Sequence, residues 1–293
     1  MAATAENKEE TSRLTNDEEQ LIYKSPSPEK QLITFAVGCG RSGTHFIARL
    51  MEHDSRIVSY HLDTIGDTIA DSFLTYCEWN NIPVDKEGFF HKRKCLIDNA
   101  TLSGKVYFEA NPYLSFSVVP IFQRFRAKIT FMVRRPEDTV NSHYVKGWYE
   151  ETPIKADVKL NLGFQYGMKK ANHFFGRIVP YGQEFLRWKK LTRIGKIAWM
   201  WNTINLEIVR QLKELPKEHY IMVKLEELDY DYYLKVHSFV GGRSPLTEQE
   251  FEKIRKAKPG RGLKKLSSTA WSEQERQEFL SETKRARKIL GYL

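Results

Sequence analysis

The stretch Leu32-Ile-Thr-Phe-Ala-Val-Gly-Cys-Gly-Arg-Ser-Gly-Thr-His-Phe-Ile-Ala-Arg-Leu-Met51 decides the fold. It reads as a strand, a glycine-rich turn and an amphipathic helix. Residues 32–37 are a short apolar run, partly β-branched, which suits a parallel strand covered on both faces. Gly38, Gly40 and Gly43 let the backbone turn tightly and bring its N–H groups up to an anion. The helix that follows buries Phe46, Ile47, Leu50 and Met51 and aims its positive end back at the loop. The segment is a phosphate cradle.

The position of its cation narrows the ligand. A nucleoside-triphosphatase loop needs Gly-x-x-x-x-Gly-Lys-Ser/Thr, with lysine on the outer phosphates and a hydroxyl on magnesium. Gly38 and Gly43 have that separation, but Thr44-His45 follow, and the cation is Arg41, inside the loop. A basic residue followed by Ser42-Gly43-Thr44 resembles the 5′-phosphosulfate loop of the sulfotransferases that use 3′-phosphoadenylyl sulfate (PAPS).

A second segment agrees. Lys128-Ile-Thr-Phe-Met-Val133 reads as another buried strand and runs into Arg134-Arg135-Pro136-Glu137-Asp138. Pro136 suits a first helical position and the acids after it suit a helix N-terminus. Ser142 follows early in that helix. A strand-end arginine and a serine in the first turns can converge on one phosphate. An acid would be expected at this strand end if magnesium were held there. In the sulfotransferases an arginine and a serine at this separation grip the 3′-phosphate, so the resemblance implies that role for Arg134 and Ser142.

Weaker similarities come in the same order. Val106-Tyr-Phe-Glu-Ala-Asn-Pro-Tyr113 looks like a central-strand segment of carbohydrate sulfotransferases. Tyr220-Ile-Met-Val-Lys-Leu-Glu-Glu-Leu228 is similar to the late strand of the family. Lys258-Pro-Gly-Arg-Gly-Leu-Lys-Lys265 resembles its basic C-terminal loop, without the usual tryptophan–lysine pair. The resemblance implies cofactor contacts by Gly38, Cys39, Gly40, Arg41, Ser42, Gly43, Thr44 and His45. It adds Arg134, Ser142, Lys258, Arg261 and Lys264, with no metal.

The rest of the chain supplies the frame. Its 293 residues, 41% hydrophobic, can bury one large α/β core. We read residues 1–30 as a flexible polar tail and 31–293 as one domain. Past residue 30, strands and helices alternate, which argues for a parallel β-sheet flanked by helices on both faces. The resemblance makes this the P-loop, nucleotide-kinase-like sulfotransferase fold. In Ile194–Leu215, residues Ile197, Trp201, Ile204, Ile208, Leu212 and Leu215 recur at helical steps and belong to a core. Between 144 and 200, aromatics scattered among glycines and lysines suit a lid or acceptor region.

A net charge of +9 fits an anionic ligand, and no long Lys/Arg block or nucleic-acid motif is present, so no nucleic-acid partner is expected. Three cysteines form no metal spacing or even framework, which suits a reducing compartment. Cys39 reads as a small residue between glycines, since no base is patterned beside it. The opening residues lack an apolar core and no stretch is long enough to span a membrane. The expectation is a cytoplasmic enzyme with a small-molecule acceptor.

Sulfuryl transfer is an in-line displacement, in which catalysis should be positioning plus electrostatics. Arg41 would stabilise the leaving phosphate. Two residues compete as the base that takes the acceptor proton. His61 lies just after the second strand, and a histidine's ordinary pKa of about 6.5 suits the role. Glu109, at the end of the central strand, could face the acceptor across the cleft. Asp63, Asp67 and Asp71 have the spacing of a solvated helix stripe, the alternative being an acidic pocket mouth that suits a cationic acceptor. The alternatives are a P-loop kinase and a non-catalytic module that binds PAP, the desulfated product. The acceptor, whether hydroxyl or amine, and the oligomeric state are not written in the sequence.

Overall fold

The computed structural model describes residues 32–62, 68–150, 177–257 and 270–293. Five strands form one sheet: β1 (Ile33–Val37), β2 (Ile57–His61), β3 (Val106–Ala110), β4 (Lys128–Val133) and β5 (Tyr220–Lys224). Their order is β2-β3-β1-β4-β5, and every neighbouring pair is parallel. The expected parallel α/β sheet is present, and β1 and β4 start and stop within a residue of the sequence reading. The order matters for function. β1 lies between β3 and β4, so the chain must cross over β1 to pass from β3 to β4. Open α/β sheets bind ligands where the winding reverses in this way, outside the carboxyl ends of the strands. The cradle follows β1 and Arg134 follows β4, so both motifs sit at that reversal.

Alternation along the strands divides the core into two layers. Ile33, Phe35, Val37, Tyr107, Ile129, Phe131 and Val133 share one layer. Against them pack α3 (Lys86–Leu102), α4 (Val118–Phe125) and α7 (Arg193–Leu212), besides α2 (Thr68–Trp79), α5 (Pro136–Val145), α6 (Gly182–Lys189) and α10 (Glu273–Leu290). The long α7 carries Ile197, Trp201, Ile204, Ile208 and Leu212 into this layer, as its periodicity requires. Ala36, Val106, Phe108, Ala110 and Met132 share the other layer with α1 (Thr44–Met51), α8 (Tyr230–Val240) and α9 (Glu248–Lys256).

The second layer is tied by one buried carboxylate. Asp54, just after α1, accepts from Arg56 N at 2.8 Å, His237 Nε2 at 2.9 Å, Arg243 N at 2.7 Å and Ser244 N at 2.9 Å. His237 is on α8 and the two amides follow it, so this carboxylate joins the early chain to its late part. Four donors satisfy both oxygens of a group that is 1% exposed.

Of the aromatics expected to form a lid, Trp148, Tyr149, Phe185 and Trp188 are buried and packed on one another, with Tyr149 and Trp188 rings 5.4 Å apart. These four are core residues. Phe164, Tyr166, Phe174 and Phe175 lie outside the described residues, as do the first 31. Among the described residues no helix is long and apolar enough to cross a membrane.

Candidate anion-binding site

The cradle takes its shape from glycines at close approaches. A Cβ on Gly38 would overlap the Met132 carbonyl oxygen and come 2.6 Å from Ser42 Oγ. Gly43 is left-handed, at φ 102°, and a Cβ there would come 2.8 Å from the Leu225 side chain. The loop closes on itself where Ser42 N donates to the Cys39 carbonyl at 3.1 Å. From below, Ser115 Oγ donates to the Gly38 carbonyl at 3.0 Å. Helix α1 then starts at Thr44, and its first-turn N–H groups have no acceptor within the helix. Ser42 Oγ is buried and has no hydrogen-bond partner. These are unmet donors around a tight turn, and they fit a phosphate or similar anion.

Two arginines and a serine complete the site. Arg41 is held in the left-handed region at φ 69°, which is uncommon outside glycine. Its Nε donates to Ser142 Oγ at 2.8 Å, across 101 residues of chain. Arg134 donates from its guanidinium to the Arg41 carbonyl at 3.3 Å. The Arg134 carbonyl in turn accepts from Trp201 Nε1 at 3.3 Å, so α7 fixes the end of β4. Partial burial, and then the positive charge of Arg134, lower the Arg41 pKa from its ordinary value. The positive charge of Arg134 acts on the Arg41 guanidinium, and a bound anion would offset that repulsion.

The structure separates the two candidate bases. His61 pairs with Ala110 across β2 and β3, on the sheet face that carries α1, where Ser59 donates to the Ala48 carbonyl at 2.7 Å. Its ring meets that of His45 edge-on, with centroids 4.9 Å apart, so it stands beside the first turn of α1. Glu109 points to the opposite face and is fully buried. Its Oε1 accepts from Arg93 at 2.9 Å and Asn111 at 3.1 Å; its Oε2 accepts from Tyr107 Oη at 2.7 Å and Arg93 Nε at 3.3 Å. The expectation that Glu109 faces an acceptor is therefore corrected: both oxygens are occupied inside the core.

Asp71 is corrected as well. Instead of lying on a solvated stripe it is fully buried, with both oxygens on Arg93 at 2.8 and 2.9 Å and a further bond from Asn111 at 2.7 Å. Burial raises its pKa, against the pull of Arg93. Asp63 and Asp67 lie outside the described residues. Cys39 is 1% exposed, and burial pushes its thiol up to about 12. Burial favours its protonated form at neutral pH, and its Sγ lies 3.8 Å from His143 Nε2. Lys258, Arg261, Lys264 and Lys265 lie outside the described residues. Trp271, shortly after them, donates to Asn141 Oδ1 at 3.1 Å, next to Ser142.

Sequence reasoning missed His143. It is fully buried behind the cradle, its Nε2 2.7 Å from the Gly40 carbonyl oxygen. A histidine beside a predicted ligand serine was the available signal. A cleft of about 550 Å³ lined by Arg187, Trp199, Asn202, Lys284 and Arg285, among others, contains none of the predicted site residues.

In sequence, neither a protein-family model nor a curated protein matches the chain. In structure it is similar to a sulfotransferase domain from the curacin biosynthetic pathway, with a TM-score of 0.46 and 14% identity, covering 89% of this chain and 98% of that one. It is also similar to the sulfotransferase domain of the Synechococcus PCC 7002 olefin synthase, with a TM-score of 0.42 and 12% identity, covering 87% of this chain and 94% of that one.

Proposed function

We propose that the protein is a sulfotransferase that moves a sulfuryl group from PAPS to a hydroxyl or amine of a small acceptor. One observation carries the reading: Arg41, Ser142 and Arg134 meet at the adjacent ends of β1 and β4, beside a glycine cradle with unmet donors. The nucleoside-triphosphatase alternative would put a lysine after Gly43 and favour an acid at the end of β4; Thr44 and Arg134 stand there. In this reading Arg41 in the cradle and Arg134 with Ser142 at the neighbouring strand end supply positive charge for a nucleotide phosphorylated at both 5′ and 3′ positions.

In this reading PAPS supplies the activated sulfuryl group. The cradle amides, Ser42 and Thr44 hold the 5′ end, and Arg134 with Ser142 holds the 3′-phosphate. Arg41 neutralises charge that grows on the leaving phosphate. His61 takes the acceptor proton, since it stands beside the helix start whereas Glu109 is sealed in the core. Removing His61 is expected to abolish the acidic limb of the pH–rate profile, because that limb reports the base taking up a proton. An unchanged limb in His61→Ala would exclude His61 as the base.

The reading is tested by calorimetric titration of PAP into the metal-free protein and into Arg134→Ala. Wild type should bind, and the variant should lose about tenfold or more in affinity, the scale of one charge-assisted contact to phosphate. Failure to bind PAP, with ATP bound only when magnesium is added, would assign the protein to the phosphotransferases.

A further inference from the structure

His143 lies behind the cradle on α5, and the ligand roles above do not use it. Its Nε2 is 2.7 Å from the Gly40 oxygen. A carbonyl can only accept, so Nε2 carries the proton and donates. The Gly40 carbonyl and the Arg41 N–H belong to one trans peptide, in which the two groups point in opposite directions. His143 is fully buried, whereas Arg41 is exposed. We propose that His143 is a positioning residue of the cradle: by gripping the Gly40 carbonyl from inside, it turns the Arg41 N–H outward onto the anion.

Three observations support this beyond the hydrogen bond. Close approach is built in, because a Cβ on Gly40 would come 3.2 Å from His143 Cε1. The ring is also fixed in place. It packs on Trp148 with centroids 4.4 Å apart, and Trp148 N and Lys146 N both donate to the His143 carbonyl at 3.1 Å. Finally, Nδ1 is buried with no partner. A leucine would fill this space without burying an unpaired acceptor, so packing alone does not account for a histidine. Burial, with Arg41, Arg177 and Arg134 adding to it, drives the pKa down to about 3 against the pull of the Gly40 carbonyl. The imidazole therefore stays neutral at working pH, and its single proton stays on Nε2.

The inference rests on the cradle being an anion site, and its test can fail separately from the sulfotransferase reading. The first measurement needs no ligand and no variant. In the full chain labelled with ¹⁵N-histidine, His143 should show a protonated Nε2 and a bare Nδ1, unchanged from about pH 5 to 8. The opposite tautomer, or titration in that range, would overturn the inference.

The second compares His143→Gln, which can still donate to the Gly40 carbonyl, with His143→Leu, which cannot. PAP affinity should fall about tenfold in the leucine variant and stay within about threefold of wild type in the glutamine variant. Thermal melts of both confirm that the fold is kept. Equal affinities in the two variants would overturn the inference. Should wild type ignore PAP, the sulfotransferase reading fails, and the same comparison is made with inorganic pyrophosphate as the probe.

Discussion

Arg93→Met is expected to destabilise the fold by about 3–5 kcal/mol, the usual cost of removing one partner from a buried ion cluster. Arg93 is 1% exposed and, among the described residues, is the one cation hydrogen-bonded to both Asp71 and Glu109, each fully buried. Its guanidinium also lies over the Phe89 ring, 3.8 Å from the centroid. Methionine keeps much of the volume but leaves two buried carboxyl groups with Tyr107 and Asn111 as their remaining donors among the described residues. Urea unfolding should show the loss in full at pH 7.5 and part of it recovered at pH 5.

The sign follows from linkage. Burial already raises the Asp71 pKa, and Glu109 pushes it the same way. Without Arg93 the folded state holds protons that the unfolded chain has released, so stability rises as pH falls toward the unfolded carboxyl values. A variant that unfolds like wild type at pH 7.5 would show that Arg93 contributes nothing net to the cluster.

The second large effect belongs to Arg41. In the proposed reaction, Arg41→Ala should lower the rate of sulfuryl transfer about 10²–10³-fold, as does loss of a donor aimed at charge that develops in a transition state. PAP affinity should fall much less, because Arg134, Ser142 and the cradle amides remain. That split between rate and affinity is the diagnostic result, read by single-turnover transfer from labelled PAPS to an acceptor found by screening. Equal losses in both would mean that Arg41 only binds the nucleotide. Because Arg41 Nε rests on Ser142 at 2.8 Å, Ser142→Ala should leave the guanidinium less well placed and reproduce part of the rate loss.

The parts of this site legible in the sequence are those encoded locally. Gly38 to Thr44 form a cradle through their own backbone freedom, and Arg134 follows a strand whose apolar run is unmistakable. Sheet order then brings the two together, since each lies at the carboxyl end of its strand and the strands are neighbours. Asp71 was misread because spacing reports only the helix it sits on, whereas its partner Arg93 lies 22 residues away on another helix. Glu109 was misread for a related reason: the end of a strand says where a side chain sits along the sheet, but its neighbours decide which face is wet. His143 escaped notice because its contacts with Gly40 and Cys39 cross 103 and 104 residues of chain.

The Asp54 carboxylate has a consequence for how this protein could be cut or rebuilt. Three of its four donors come from residues 237–244, while the glycine loop ends only ten residues or so before Asp54 itself. An amino-terminal fragment carrying the loop and the first four strands would keep only the Arg56 amide on that carboxylate, and would expose the apolar face on which α8 and α9 rest. The half that carries the glycine cradle is therefore not a module that can be transplanted. Split reporters or circular permutants of this chain have to keep residues 54 and 237–244 in the same piece, or supply them together on reassembly.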